Sequence, residues 1–334
     1  MITKYTALKE TRVNLREAIP LPKPFTLLVE PSSLCNFSCK MCFQSAEHQG
    51  KFKEKRGLMP MDIFEKAIAE AKAWAKLKVL KLCVYGEPLT NPNFCRMLSM
   101  ACAAGIAERV ETTTNASLLT AEVAEAMIAA GLDYVRVSIY GHDEASHAAT
   151  ARTKTPLQKI HNNLKLLQNM KRAAKVERPF VAVKMLDTFD PQRNAAFKAA
   201  FADVADELYL DQPHNWVQPA EESFIDKIVP ESFAENRTGQ YACPMPFTTL
   251  AVRSNGDVAP CCIDWYGSTI IGNIRQQSLQ ELWNSPAHKK LMHLQLSDNK
   301  KMNPSCGRCN LPQNPHYTRD NLDGVDPGIV GTFE

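Results

Sequence analysis

No stretch of the 334-residue chain approaches the roughly 18 uncharged apolar residues of a membrane-spanning helix. The opening MITKYTALKETRVNLREAIPLPKPF lacks the apolar run and small-residue cleavage site of a secretory signal. Surplus charge is also missing: 39 Lys and Arg face 36 Asp and Glu, so no long-range field marks nucleic acid or an anionic membrane as a partner. Internal repeats and low-complexity tracts are absent. These absences lead to the expectation of a globular cytoplasmic protein. At 45% hydrophobic, it can bury one large core, or a core plus a small appended domain, without disulfide staples.

Cysteine is what the chain has. Eleven is an odd number, and their clustering at short spacings argues for metal ligation in a reducing compartment over a disulfide framework.

The order of elements places these cysteines. FTLLVE (25–30) reads as a strand ending in the turn PSS, and Asp62 is expected to cap a helix in which Phe64, Ile68, Ala71 and Ala75 recur at helical spacing. VLKLCVY, RVETTT, YVRVSIY, PFVAVKML and ELYL continue the strands. The helices between them include one ended by Gly105, one capped by Thr120 and one opened by Pro191. Six strands alternating with helices predict a parallel α/β sheet, whose ligands collect at the C-terminal strand ends. After about residue 215 the alternation fails, giving a polar connector over 216–240 and a second domain over 241–312. There FTTLAVRSNGDVAPCC predicts a β-hairpin turning at Asn255-Gly256, and Pro286 a helix kink or new start. The extension 1–24 and the tail 313–334 flank these domains, and the tail reads as irregular.

PSSLCNFSCKMC puts Cys35, Cys39 and Cys42 within eight positions. A structural zinc site takes four ligands, and His48 could complete one. A cubane iron-sulfur cluster held by three thiolates instead leaves one iron open to a substrate or cofactor. The second set, Cys243, Cys261, Cys306 and Cys309, brings four thiolates in two separated groups, which can close a zinc site or a fully ligated cluster. Of the spare cysteines Cys83, Cys95, Cys102 and Cys262, Cys83 and Cys102 are expected to pack in the core. Cys262 adjoins Cys261 and is expected either to pack or to donate a hydrogen atom in the cavity.

CxxxCxxC after the first strand of a βα series resembles the radical S-adenosylmethionine superfamily, over about residues 25–215. The resemblance implies a partial (β/α)6 barrel, with a 4Fe-4S cluster on Cys35, Cys39 and Cys42 whose open iron binds S-adenosylmethionine. Its cleavage gives a 5′-deoxyadenosyl radical. Gly86, Glu87 and Pro88 resemble the family's GGEP element, which contacts the methionine amino group, with Tyr85 in place of the first glycine. Thr114-Asn115 resembles its TNG, with Ala116 for glycine. Ser138 stands where a serine contacts the ribose, Arg152 where an arginine reaches the cofactor carboxylate, and Met41 where main chain approaches the adenine. A solvated surface arginine is the alternative for Arg152.

Cys243, Cys261, Cys306 and Cys309 resemble the SPASM/Twitch extension, in its Twitch form with one auxiliary 4Fe-4S cluster. An aminocyclitol dehydrogenase, anaerobic sulfatase-maturating enzymes and many peptide modifiers share this layout. Only 34 residues precede Cys35, fewer than a leader-binding domain takes. The expected reaction is therefore oxidation of an alcohol in a sugar, nucleotide sugar or aminocyclitol, with the auxiliary cluster accepting the electron. Epimerisation through Cys262, peptide modification and a zinc-binding interaction protein are the alternatives. A flavodoxin or ferredoxin is the implied electron donor. His214, Asn215 and Trp216, with Asp264 and Trp265, are the expected substrate contacts. Asp264, His214, Lys184 and Tyr85 are the candidate bases.

Overall fold

The computed structural model describes residues 13–44, 56–74, 76–213, 228–230, 239–313 and 320–333. Six parallel strands lie side by side in sequence order: β1 (Thr26–Val29), β2 (Leu77–Leu82), β3 (Ala107–Thr114), β4 (Tyr134–Ile139), β5 (Phe180–Leu186) and β6 (Glu207–Asp211). Parallel neighbours need crossovers, and the helices supply them. These are α1 (Met61–Ala71), α2 (Phe94–Ala103), α3 (Ala121–Ala129), α4 (Glu144–Ala151), α5 (Leu157–Ala174) and α6 (Pro191–Phe201). Thr120 caps α3 and Pro191 opens α6 as expected, but Asp62 does not cap α1. Pro60 takes that position, and Asp62, one residue inside the helix, pairs with Arg275 at 2.7 Å.

Side chains alternate across a strand, and the alternation assigns the two faces of the sheet. Leu80, Leu82, Val110, Val135, Val137 and Val183 enter the main core with the buried faces of the helices. Lys81, Glu111, Arg136 and Lys184, each offset by one position, therefore share the opposite, inner face. At its N-terminal end that face is closed by Tyr134, Ala182 and Tyr209, with Phe180 packed against them.

The C-terminal region continues the same sheet. β7 (Thr249–Val252) runs parallel to β1 with Thr26 opposite Thr249, β8 (Asp257–Ala259) returns antiparallel to β7, and β9 (Gly272–Asn273) pairs with β8. The hairpin turns where the sequence places it, with Gly256 at φ +90°, a conformation that glycine adopts without a steric cost. Pro286 starts a new helix, α8 (Pro286–Leu296), after α7 (Leu279–Trp283). The flanking segments are not loose appendages. Leu15 and Ile19 join Ala242, Phe247, Met292, Leu296, Leu322 and Val330 in a second core, and the Asp323 carboxylate accepts the Tyr241 and Ala242 N–H groups.

A buried polar network fastens the β1–β7 junction. Glu30, fully buried at the end of β1, accepts the Tyr85 N–H at 2.9 Å and the Ser254 N–H at 3.0 Å. Arg253, also buried, donates to the Tyr85 hydroxyl at 3.0 Å and to the Asp264 carbonyl at 2.9 Å. Its guanidinium stands 3.6 Å from the Asp264 carboxylate. Removing one member of such a network strands the others without water. Arg253→Ala is thus expected to lower stability by about 3 kcal/mol or more in chemical denaturation; an unchanged midpoint would show that the junction does not depend on it.

Candidate active site

The chain from Pro31 to Gln44 is held on every side. Asn91 Nδ2 donates to the Pro31 carbonyl at 2.7 Å, Thr90 Oγ1 to Ser32 Oγ at 2.7 Å, and Gln44 Nε2 to the Ser33 carbonyl at 2.8 Å. The Glu87 N–H reaches the Leu34 carbonyl at 2.8 Å. A Cβ on Gly86 would collide with the main chain of Ser32, Ser33 and Leu34, so only glycine lets the loop after β2 approach this closely. From the other side the Ser38 and Lys40 N–H groups bond to the Ala151 and Thr150 carbonyls, 3.2 and 2.9 Å away at the C-terminal end of α4.

Glu87 holds this frame by its side chain. One oxygen accepts the Leu89 N–H at 3.1 Å and the Thr114 hydroxyl at 2.6 Å; the other accepts the Asn115 N–H at 2.6 Å. Burial pushes the carboxyl up to about 7, against the pull of those three donors. The Glu87 carboxylate thus binds the end of β3. Asn115 in turn donates to Asn36 Oδ1 at 2.9 Å, inside the cysteine loop. Ala116, where the related motif has glycine, sits at φ +56°, which explains the glycine. Ser138 is buried on the inner face, hydrogen-bonded by Tyr140. Arg152 ends α4 at φ +48°, and Met41 packs partly buried against the core.

Cys243, Cys261, Cys306 and Cys309 all line one cavity of about 500 Å³, part of it open to solvent, with Pro260 and Leu311 among its apolar walls. Asn303 caps the helical turn Pro304–Arg308 that presents Cys306, accepting the Ser305 and Cys306 N–H groups at 3.1 Å each. The two cysteine sets meet through aromatic rings. Phe43, next to Cys42, stacks on Trp265 with centroids 5.0 Å apart, and Tyr85 meets Phe43 edge-on at 5.1 Å.

Comparison with known proteins matches this layout. The Radical SAM superfamily model matches residues 29–186 and the iron-sulfur cluster-binding SPASM model residues 243–310. The chain is a radical SAM protein with a SPASM domain. A Pyrococcus furiosus relative, the tungsten-containing aldehyde ferredoxin oxidoreductase cofactor-modifying protein, is 24% identical, over 85% of this chain and 87% of its own. Among solved structures, BtrN in complex with AdoMet and 2-DOIA has a TM-score of 0.55 at 19% identity, covering 85% of this chain and 92% of that one. Native anSMEcpe with bound AdoMet has 0.57 at 16%, covering 90% and 93%. Streptococcus suis SuiB bound to S-adenosylmethionine has 0.54 at 17%, covering 89% and 74%. At these identities the structures share the fold.

Radical SAM and SPASM domains bring S-adenosylmethionine and 4Fe-4S clusters with them, and the thiols of this radical SAM chain fit such groups. Burial raises Cys35 and Cys306 to about 12 and Cys309 to about 11, and drives Cys39, Cys42, Cys243 and Cys261 upward. Thiols so buried ionise when a strongly cationic centre adjoins them. A single zinc ion would need its sulfurs about 2.3 Å from one point. Among the described residues no three His, Cys, Asp or Glu converge tightly enough to hold one ion. His48, the ligand that would complete a zinc site, lies outside the described residues, as do His214, Asn215 and Trp216.

One further expectation changes. Asp264 is fully buried, and its carboxylate accepts the Thr269 N–H and hydroxyl at 2.7 Å each, the Ser268 N–H at 3.1 Å and the Ser305 hydroxyl. It braces the auxiliary cavity wall instead of facing substrate as a base. Cys83 is buried as expected, on the side of β2 that shares the parity of Lys81. Sequence reading passed over Glu30, Arg253, Tyr140 and the Phe43–Trp265 stack. A charged residue in an otherwise apolar strand was the available signal for the first two. Gly86→Ala is expected to reduce 5′-deoxyadenosine formation from S-adenosylmethionine at least about hundredfold, while absorbance from the auxiliary cluster persists, since misplacing reacting groups by about 1 Å costs that much; undiminished formation would show that the loop tolerates displacement.

Proposed function

We propose that this radical SAM protein oxidises a hydroxyl-bearing carbon of a small polar metabolite, such as a sugar or nucleotide sugar, to a ketone. The observation that carries the reading is the second cysteine set: four thiols around one cavity leave a cluster there no open iron, which suits it to accept an electron rather than bind substrate. When bound, S-adenosylmethionine and the two clusters supply hydrogen-atom abstraction by a 5′-deoxyadenosyl radical and a sink for one electron. The substrate thus gives up a hydrogen atom from carbon, a proton from the hydroxyl and one electron.

Cys35, Cys39 and Cys42 would hold the first cluster, and Cys243, Cys261, Cys306 and Cys309 the auxiliary one. Gly86, Pro88 and Met41 offer main chain to the cofactor, while Asn115, Ser138 and Arg152 offer side chains. A proton acceptor must reach the inner face near its C-terminal edge. The Lys184–Asp211 pair stands there, with Ser138 opposite Lys184 in register, and takes the role first considered for Asp264. A flavodoxin or ferredoxin would supply the electron that starts each turnover.

Cys262 favours a second reading, epimerisation with a thiol as hydrogen donor. It is not among the residues lining the auxiliary cavity, and while burial raises its thiol, Lys81 and Arg136 of the inner face oppose the rise. The structures named above contain 2-DOIA in one case, and SuiB has also been solved with precursor peptide SuiA, so peptides belong in the same screen.

Anaerobic turnover with sugars, nucleotide sugars and peptides separates the readings. Oxidation predicts 5′-deoxyadenosine and ketone in a 1:1 ratio, and Asp211→Asn lowering kcat about 100-fold or more with KM little changed. Return of solvent deuterium at the product carbon, abolished in Cys262→Ala, would replace oxidation by epimerisation. A modified peptide as the sole product would overturn the metabolite assignment.

A further inference from the structure

The cavity around Cys243, Cys261, Cys306 and Cys309 is also lined by Gln295 and Lys300. Gln295 stands near the end of α8 and is fully buried. Its Oε1 accepts the Cys243 N–H at 3.2 Å. A main-chain N–H can only donate, so this bond fixes which end of the amide is the oxygen and makes the other end Nε2. Among the described residues Nε2 has no hydrogen-bond partner. A buried donor left unpaired costs about 1–3 kcal/mol, so this one calls for an acceptor in the cavity it lines.

The thiols indicate which acceptor. Main chain serves three of them: the Ile263 and Leu311 N–H groups reach Cys261 and Cys309 Sγ at 3.4 Å each, and that of Met245 favours ionised Cys243. At Cys306 a side chain does this work, because Gln295 opposes the burial-driven rise of that thiol. Nε2 thus approaches Cys306 without closing a bond. Lys300 is also buried; its Nζ donates to the Tyr241 carbonyl at 2.9 Å, and its charge opposes the rise at Cys243, Cys306 and Cys309. Asp264 acts in the opposite direction on Cys261, Cys306 and Cys309, but its carboxylate stands 3.6 Å from the Arg253 guanidinium. Hydrogen bonds to the sulfurs and nearby charge set the reduction potential of an iron-sulfur cluster. A donor or a cation favours the reduced form, which carries one more negative charge.

We propose that Gln295 donates a hydrogen bond from Nε2 to the auxiliary cluster at Cys306, and that Gln295 and Lys300 together raise that cluster's reduction potential. This rests on the reading of the cavity as a cluster site, and it deepens the oxidation reading: the two side chains act through the cluster, by making it a better acceptor of one electron.

The full-length chain with Cys35, Cys39 and Cys42 changed to alanine presents the auxiliary cluster alone, so its potential can be read without turnover. In that background Gln295→Leu removes the donor, and Gln295→Glu removes it while keeping an oxygen for the Cys243 N–H. Redox titration followed by EPR is expected to show each change lowering the equilibrium constant for reduction about tenfold or more. That is the scale of one hydrogen bond to a charged group, and about 59 mV for a one-electron couple. Lys300→Met is expected to shift the potential the same way, and Lys300→Arg, which keeps the charge, to leave it near the parent value. Iron analysis and circular dichroism check that each variant is loaded and folded. A second measurement keeps Gln295 in place: with glutamine amide nitrogens isotopically labelled, pulsed EPR of the reduced cluster is expected to detect a coupled nitrogen, since Gln295 is the glutamine among the residues lining the cavity. Unchanged potentials in the loaded, folded Gln295 variants, or no coupled glutamine nitrogen, would overturn the proposal with the cluster still in place. Absence of iron from the background chain would instead overturn the cluster reading on which it rests.

Discussion

Glu30 is the hinge of the arrangement: a single buried carboxylate at the end of β1 whose two oxygens hold the main chain leaving β2 and the turn leaving β7. Burial raises its pKa, and the Ser254 and Tyr85 N–H groups together with Arg253 counter that rise. Because β1 pairs with β2 on one side and β7 on the other, the first cysteine loop and the auxiliary hairpin belong to one continuous sheet. The relative placement of the two thiol sets thus follows from backbone hydrogen bonding rather than from a flexible domain contact. Phe43 and Trp265 extend that junction with a stacked pair directly beside Cys42.

The same economy shapes the cysteine loop. Glycine at position 86, Glu87 with its three donors, and Asn115 reaching Asn36 form a frame that holds the loop. The frame leaves the chemistry to the thiols and to the inner face. That face is layered, apolar at the N-terminal end and charged from Lys81 and Glu111 up to the Lys184–Asp211 pair.

Much of this was legible in the sequence because it follows from local rules. Strand and helix order, the Asn255-Gly256 turn and the new start at Pro286 all obey periodicity and turn chemistry. Both cysteine sets were visible as spacings. What was hidden depended on long-range pairing. Glu30 and Arg253 are 223 residues apart in the chain and meet only because β7 joins β1. Asp264 read as a substrate contact and candidate base, but Thr269 and Ser305 bond its carboxylate, and the loop that carries them has no periodic signature. The tail read as irregular, yet Pro327–Val330 forms a 3-10 helix, and Leu322 and Val330 complete a core.

The central claim is that the two thiol sets hold two separate iron-sulfur clusters on one sheet. The most direct measurement is anaerobic iron, sulfide and zinc analysis with Mössbauer spectroscopy, on the parent protein and on a variant with Cys35, Cys39 and Cys42 all changed to alanine. The account predicts about eight irons per chain in the parent and about four in the variant, all as cubane clusters. Stoichiometric zinc in place of iron, or a variant that loses all of its iron while still folded, would contradict it.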